Sequence, residues 1–197
     1  DNNQNALGSI IRVSMNAAIG QSDGDSQFPA ISADGAYIAY QSTATNLVSG
    51  DTNAKTDIFL YDVGTAATHC TSRTAAAVAN GDSFYPSISS TGKFIVFQST
   101  ASNLVASDTN GLSDVFAADI KPIIAGSGSQ NITRISVSSA LAQGTGGDST
   151  EGFVSSNGKY FAYKSAASNI ISSDSNGIAD IFVVKISCTA GEFFTGD

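Results

Sequence analysis

Asn103-Leu104-Val105-Ala106-Ser107-Asp108-Thr109-Asn110-Gly111-Leu112-Ser113-Asp114-Val115-Phe116 is the stretch that decides how this chain is interpreted. Nearly the same sequence recurs at 46–59 and at 169–182. Self-similarity over tens of residues is the signature of repeat architectures, in which each copy is one supersecondary unit. We therefore interpret the chain as three copies of a single structural unit.

Other features recur in the same register around that stretch. They include a Gly-Asp-Ser triplet at 24–26, 81–83 and 147–149, and an aromatic run at 37–40, 94–97 and 160–163. In the first copy, a short apolar run with Pro29 at its start, an Asp-Gly turn and a nearly continuous apolar run predict strands at 28–32 and 37–42. A third strand is predicted at 57–62, and almost no helix, because no segment shows a 3.6-residue period.

A fourth strand in each copy is predicted where a basic residue is followed by β-formers. These segments are Arg12-Val13-Ser14, Arg73-Thr74 and Arg134-Ile135-Ser136, and each precedes the other three strands of its copy. Four-stranded units of about 40–60 residues in tandem are typical of propeller blades. The predicted fold class is all-β, with three four-stranded β-propeller blades that form an open arc or half of a six-bladed ring completed by a second chain.

The repeated residues resemble the TolB-type (WD40-like) β-propeller repeat family. The pattern that carries the resemblance is Pro-x-Ile-Ser-x-Asp-Gly-x-Tyr-Ile-Ala-Tyr-x-Ser at 29–42, followed by Asp-Ile-Phe-x-Tyr-Asp at 57–62. The third copy departs from it at Gly152 and Lys185. The resemblance implies a propeller fold over most of the chain and implies no particular chemistry, because such folds host many functions. The domain organisation expected is an N-terminal arm at 1–9, a repeat domain at 10–187 with blades at about 10–68, 69–130 and 131–187, and a tail at 188–197.

Three blades are too few to close a ring, since closed propellers use about four to eight. The predicted strand at 10–15 has no first three strands ahead of it, and the strand at 180–186 has no fourth strand after it. Unpaired strand edges invite pairing with another chain. We expect a homo-oligomeric ring or a homopolymeric filament through these edges, unless the tail at 191–194 supplies the missing strand or the chain belongs to a longer array.

The loop inside each repeat carries the candidate cation ligands. Calcium takes about six to eight oxygen ligands, and alternating Asp and Asn side chains supply them. The candidate ligands are Asp51, Asn53, Asp57, Asp108, Asn110, Asp114, Asp174, Asn176 and Asp180. The alternative is that these side chains bond their own backbone as Asx turns. The Asn that precedes each loop at 46, 103 and 169 is expected to fix it through side-chain to backbone bonds.

Two cysteines and one sequon bear on the compartment. Cys70 and Cys188 are compatible with a disulfide, with an intermolecular bridge or with two buried thiols. Asn131-Ile132-Thr133 is a candidate glycosylation site. A composition rich in Ser, Thr, Asn and Gly indicates an extracellular or cell-surface protein, and the polar start at Asp1 fits a processed or excised chain.

Charge and residue inventory argue against several classes of function. A net charge of −8, with no basic stripe, argues against nucleic acid as a partner. No apolar run approaches the roughly 20 residues of a membrane helix. With His69 as the only histidine, no catalytic constellation is evident, and we expect no enzyme activity. The function predicted is a secreted, non-catalytic structural or self-assembly module. The alternatives are an extracellular module that recognises carbohydrate or peptide, and an accessory domain of a larger enzyme.

Overall fold

The computed structural model describes residues 9–16, 20–126 and 131–186. Within these residues the chain forms strands and one five-residue helix, as expected from the lack of a helical period. In chain order they are β1 (Ser26–Ile31), β2 (Tyr37–Ser42), β3 (Asp57–Asp62), β4 (Ala67–Cys70), β5 (Ser83–Ile88), β6 (Phe94–Ser99), β7 (Asp114–Asp119), α1 (Ile120–Ile124), β8 (Asn131–Arg134), β9 (Ser149–Val154), β10 (Tyr160–Ser165) and β11 (Asp180–Lys185). No helix of the described part is long and apolar enough to cross a membrane.

The strands form three antiparallel sheets, each of which pairs strands in the order of the sequence. Sheet 1 contains β1–β4, sheet 2 contains β5–β8 and sheet 3 contains β9–β11. Each sheet carries one aromatic pair across its second and third strands, with nearly parallel rings. These pairs are Tyr40–Phe59, Phe97–Phe116 and Tyr163–Phe182. The all-β prediction and the repeat register are confirmed, and the sheets are consistent with propeller-like blades.

The first strand of each sheet contains a bulge that the sequence did not reveal. Phe28, Tyr85 and Glu151 have φ of 52°, 54° and 53°, next to a register shift in the pairing with the second strand. Pro29 therefore lies inside β1 rather than at its start. A bulge takes a residue out of the ladder, so the missing N–H of proline costs no strand pairing there.

Gly152 replaces this proline in sheet 3 because the neighbouring sheet leaves no room. A Cβ on Gly152 would lie 2.4 Å from Cγ1 of Val115 and 2.6 Å from Cγ1 of Val96. At the position of Val96, sheet 1 has the smaller Ala39. The glycine of the third copy therefore suits the close approach of Val96 and Val115.

The fourth strands lie earlier in the chain than predicted. Arg134 is the last residue of β8 rather than the first residue of a strand, and Arg73 lies beyond β4 in an isolated bridge with Val78. Residues 12–14 form no strand, and Met15 bridges to Gln21. In sheet 1 the turn after β3 is short, so the chain pairs with β3 at once and β4 ends before Arg73. Sheets 1 and 2 consequently end at 70 and 134, a few residues beyond the expected blade boundaries.

The core lies between the sheets. One cluster joins Ile58 and Leu60 of sheet 1 to Phe97 and Phe116 of sheet 2. A second cluster joins Val96 and Val115, on the opposite face of sheet 2, to Phe161 and Tyr163 of sheet 3. Sheet 2 is therefore covered on both faces and lies between its neighbours. No buried cluster of the described residues joins sheet 1 to sheet 3.

Candidate functional site

The Asp/Asn loops at 51–57, 108–114 and 174–180, named loops 1, 2 and 3, share one hydrogen-bonded turn. In loop 1, Oδ1 of Asn53 accepts the N–H of Lys55 at 2.9 Å, and Nδ2 donates to Oδ2 of Asp57 at 2.7 Å and to the carbonyl of Ala79 at 2.8 Å. The turn and the Asp contact are repeated by Asn110 in loop 2 and by Asn176 in loop 3. The Asx-turn alternative therefore describes the asparagines, whose side-chain oxygens face the backbone.

Loop 2 contains a buried arginine that the sequence reasoning did not assign to it. Nη1 of Arg134 lies 3.3 Å from Oδ1 of Asp108 and 3.2 Å from Oδ2 of Asp114, and all three side chains are nearly inaccessible to solvent. Oγ of Ser136 donates to Oδ1 of Asp114 at 2.6 Å. Burial and Asp114 raise the pKa of Asp108, and Arg134 opposes that shift. In loop 2, the guanidinium of Arg134 supplies the positive charge that a bound metal ion would otherwise supply.

Loop 1 has the same carboxylates, and no described arginine forms an ion pair with them. Cys70 stands where Arg134 stands in sheet 2, while Ser72 keeps the role of Ser136 and donates to Asp57. Both carboxylate oxygens of Asp51 are buried with no hydrogen-bond partner. Burial raises the pKa of Asp51, and the charge of Arg73 opposes that shift. Burial together with Asp51 raises the pKa of Asp57 to about 6, although Ser72 and Asn53 donate hydrogen bonds to it. Loop 1 is thus a buried acidic pair with an unsatisfied carboxylate.

Loop 3 is open. Asp174 and Asp180 line a surface groove of about 370 Å³ together with Asn176, Ile181 and Phe182. Oδ1 of Asp174 is shielded from solvent and has no partner. Within residues 131–186 no fourth strand pairs with β11, whereas β8 pairs with β7 in sheet 2. The groove therefore occupies the place that the side chain of Arg134 fills in sheet 2.

The outer face of sheet 3 is apolar and exposed. Ile181 and Val183 are 74% and 68% exposed, whereas Val115 and Ala117, which hold the same positions in β7, are fully buried. Phe153 on β9 is 62% exposed. Contiguous apolar surface of this kind marks an interaction site more often than chance exposure does.

The repeated Asn at 46, 103 and 169 forms side-chain to backbone bonds, as expected, but to a different segment. Asn103 accepts from the N–H of Asn80 and donates to the carbonyl of Val78, both in the connection before β5. Asn46 and Asn169 do the same before β1 and β9. These residues tie successive connections together rather than fixing the Asp/Asn loops.

The remaining sequence-predicted residues stay apart from the loops or outside the described chain. Within 9–16, 20–126 and 131–186, no group of three or more His, Cys, Asp or Glu residues is placed to hold a metal ion. Cys188 lies outside the described residues, so its pairing with the buried Cys70 stays a prediction. Asn131 opens β8 opposite Asp119 and is partly buried.

The roles of Arg134 and Ser136 were missed because their partners lie about 20 residues away in sequence. A signal existed in the alternation Ile132-Thr133-Arg134-Ile135-Ser136, which places Arg134 and Ser136 on one side of the chain. That side faces the loop of the same sheet. Only the strand pairing of β7 with β8 identifies which carboxylates are met.

Several solved structures are similar to this chain. TolB from Acinetobacter baumannii is 21% identical with a TM-score of 0.48, over 83% of this chain and 30% of TolB. Putative TolB from Agrobacterium tumefaciens is 14% identical with a TM-score of 0.49, over 82% of this chain and 46% of that protein. Pyrococcus horikoshii acylaminoacyl peptidase is 13% identical with a TM-score of 0.41, over 72% of this chain and 17% of the peptidase.

The structural neighbours thus include TolB proteins, the family that the repeats resemble. The chain spans less than half the length of either of them. No family model matches the chain. No curated protein sequence matches it either.

Proposed function

We propose that this chain is a secreted, non-catalytic structural module that self-assembles, each chain contributing an arc of propeller blades that another chain extends. The observation that carries the proposal is the exposed apolar face of sheet 3, at positions whose equivalents are buried in sheet 2. Burying apolar surface yields about 25 cal/mol per Å². A second sheet packed on Ile181 and Val183 would repeat the contact that sheet 3 already makes with sheet 2.

Assembly in this way yields a closed two-chain ring or an open filament, depending on whether the rotation between chains closes. The module extends through its own surface and requires no bound ligand. The composition, rich in Ser, Thr and Asn with few Lys residues, supports an extracellular setting.

Sedimentation velocity of the purified chain at micromolar concentration, with electron microscopy of the same sample, tests the proposal. The expected result is a particle of two chains or a concentration-dependent polymer. A double variant, Ile181→Asp with Val183→Asp, should sediment as a 20.0 kDa monomer. A wild-type monomer over the whole concentration range would overturn the proposal.

A second proposal concerns loop 1, which we propose binds a cation such as calcium. Asp51 and Asp57 are both buried, the carboxylate of Asp51 has no hydrogen-bond partner, and Cys70 stands where sheet 2 has Arg134. Oxygen ligands of this kind suit a hard cation, with backbone carbonyls and water completing the coordination. Calcium at about 100 times Kd would stabilise the fold by about 2.7 kcal/mol.

Thermal unfolding in calcium and in chelator tests this second proposal. The midpoint should rise with calcium in the wild type, and Asp51→Asn should remove the rise. Asp174→Asn makes the same chemical change in loop 3 and should leave the rise intact. An unchanged midpoint in the wild type would remove calcium from loop 1.

A further inference from the structure

The segment at 10–15 has the sequence of a fourth strand. It reads Ile-Ile-Arg-Val-Ser-Met, and the segment at 132–137, which continues β8, reads Ile-Thr-Arg-Ile-Ser-Val. Arg and Ser hold the third and fifth positions in both. In sheet 2 these are Arg134 and Ser136, which bond to the carboxylates of loop 2.

Among the described residues, no carboxylate meets Arg12 or Ser14 in the way that the carboxylates of loop 2 meet their counterparts in sheet 2. Arg12 is exposed and forms no ion pair with the described residues. Ile10 and Ile11 beside it are 90% and 57% exposed. The segment therefore presents an unpaired cation and two unburied β-formers.

Sheet 3 presents the complementary set. Asp174 and Asp180 line the open groove of loop 3, and Asp174 keeps a shielded oxygen without a partner. Beside this groove, β11 has no neighbour on its outer edge within the described residues. The donor segment and the acceptor edge are thus matched in charge, in strand propensity and in repeat position.

Within the described residues, a second hydrogen bond of the repeat, from a loop N–H to the Asp of the next Gly-Asp-Ser triplet, also lacks its partner in the first triplet and in loop 3. Oδ1 of Asp82 accepts the N–H of Thr56, and Oδ1 of Asp148 accepts the N–H of Ser113, so the second and third Gly-Asp-Ser triplets anchor the loop of the preceding sheet. Asp25 holds the same position in the first triplet and is exposed. The equivalent donor for Asp25 would be the N–H of Ala179, just before β11.

The segment cannot reach these groups in its own chain without leaving sheet 1. Val13 packs in the cluster of Tyr40 and Phe59 on the outer face of sheet 1, and Thr68 donates to the carbonyl of Met15 at 3.4 Å. Sheet 2 separates sheet 1 from sheet 3. In the same way Ile135, the counterpart of Val13 directly after β8, packs in the cluster of Tyr163 and Phe182 of the next sheet. Residues 10–15 thus lie where a preceding sheet would end.

We infer that residues 10–15 of one chain form the fourth strand of sheet 3 in a second copy of the chain. This inference rests on the proposed self-assembly and names its contact. By the register of β7 and β8, Arg12 lies opposite Phe182, and Ile11 lies opposite Val183. Arg12 then bridges Asp174 and Asp180, and Ser14 donates to Asp180. Between sheets 1 and 2, the N–H of Tyr85 donates a hydrogen bond to Gln41. This bond has no counterpart in the proposed contact, because Lys164 of sheet 3 stands at the position of the glutamine.

Charge reversal tests the inference. Arg12→Glu places a third carboxylate beside Asp174 and Asp180, so association should weaken at least about 100-fold, as expected for a broken buried ion pair. Lys121→Glu makes the same change in charge at an exposed position on α1 and should associate like the wild type. Sedimentation velocity over a dilution series measures both. Because Arg12 is exposed and forms no ion pair with the described residues, the variant should keep the fold of the monomer.

Disulfide trapping tests the register independently of affinity. Two differently tagged chains in a Cys188→Ser background, one with Ile11→Cys and the other with Val183→Cys, should form a mixed disulfide on oxidation, since opposed strand residues lie about 4.5–5.5 Å apart at Cβ. Replacing Ile11→Cys with Ser9→Cys moves the thiol two residues along the same face and should lower the yield at least about tenfold.

The outcomes separate the inference from the proposal beneath it. Assembly that survives Arg12→Glu, with no Ile11–Val183 crosslink, would leave the self-assembly proposal standing and overturn the strand assignment. A wild-type chain that stays monomeric would overturn both. Loss of assembly in Arg12→Glu, with crosslinking in the stated register, is the result that supports the inference.

Discussion

Sheet 2 and sheet 3 are built from the same repeat, yet they differ in what surrounds them. Residues 114–118 of β7 are fully buried, while β11 alternates between partly buried and exposed residues. The sequences do not explain the difference, because Asp-Ile-Phe-Val-Val-Lys in β11 is no less apolar than Asp-Val-Phe-Ala-Ala-Asp in β7. The strand is therefore suited to burial, and its exposure reflects that no sheet or strand of the described residues covers this side of it.

The largest difference in stability is expected when Arg134, the arginine of sheet 2, is replaced. Arg134→Met should destabilise the fold by about 3–5 kcal/mol, because it leaves Asp108 and Asp114 buried without a counter-charge. Arg12→Met removes an exposed arginine from a similar segment and should change stability by less than about 0.5 kcal/mol. Urea unfolding at a concentration where the wild type is monomeric measures both. Equal effects would show that the two arginines have equivalent surroundings.

A smaller difference is expected from one truncation made in both third strands. Val115→Ala should cost about 2 kcal/mol, since the side chain is fully buried between sheets 2 and 3. Val183→Ala removes the same atoms from an exposed position and should cost less than about 0.5 kcal/mol. The comparison is again made in monomer by urea unfolding. At concentrations that support assembly, Val183→Ala should lower the free energy of unfolding by more than it does in the monomer. An effect that stays below about 0.5 kcal/mol there would argue against burial of Val183 in the assembly.

In sheet 1 the stability of the fold should depend on pH, because Cys70 stands where sheet 2 has the arginine that pairs with its carboxylates. Burial raises the pKa of Asp57 to about 6 in the folded chain, so the folded state holds this proton more tightly than the unfolded state. The stability from this group is present at low pH and is lost as the pH rises from about 4 to about 6. The loss should approach 3 kcal/mol at about 1.36 kcal/mol per pKa unit.

The measurement is the free energy of unfolding of the wild type minus that of Asp57→Asn, from pH 4 to pH 7 in chelator. The difference should fall with increasing pH. A difference that is constant over this range would contradict the buried, raised pKa of Asp57.

The smallest expected effect concerns the asparagine turn. Asn110→Ala should cost about 1 kcal/mol, because Asn110 also donates to the carbonyl of Gly144 and so links loop 2 to the next connection. Asn176→Ala removes the same turn in the exposed loop 3 and should cost about half as much. Thermal unfolding midpoints compare the two. A larger effect of Asn176→Ala would mean that loop 3 contributes more to monomer stability than its exposure indicates.

The repeat itself and its strands could be predicted because they depend on local patterning. Apolar runs bounded by Asp-Gly turns specify strands such as 37–42, and the three copies agree on their register. The bulge at Phe28 was not predictable in the same way, since a positive φ at a non-glycine residue is selected by the packing around it.

The candidate site shows the same division. The recurrence of Asp and Asn identified which residues matter, and the choice between a turn and a cation ligand was left open. In the structure the asparagines form turns, because each side-chain oxygen accepts a hydrogen bond from the N–H two residues on. Arg134 reaches Asp108 and Asp114 only because β8 folds back along β7.

By itself the sequence determined that three similar β-units follow one another and that each carries the same polar loop. The tertiary structure decided that these loops differ: one holds an arginine, one holds a buried carboxylate without a partner, and one is open. The physical reason is that strand propensity and turn chemistry act over a few residues. Burial and charge pairing depend on which sheet or strand lies alongside.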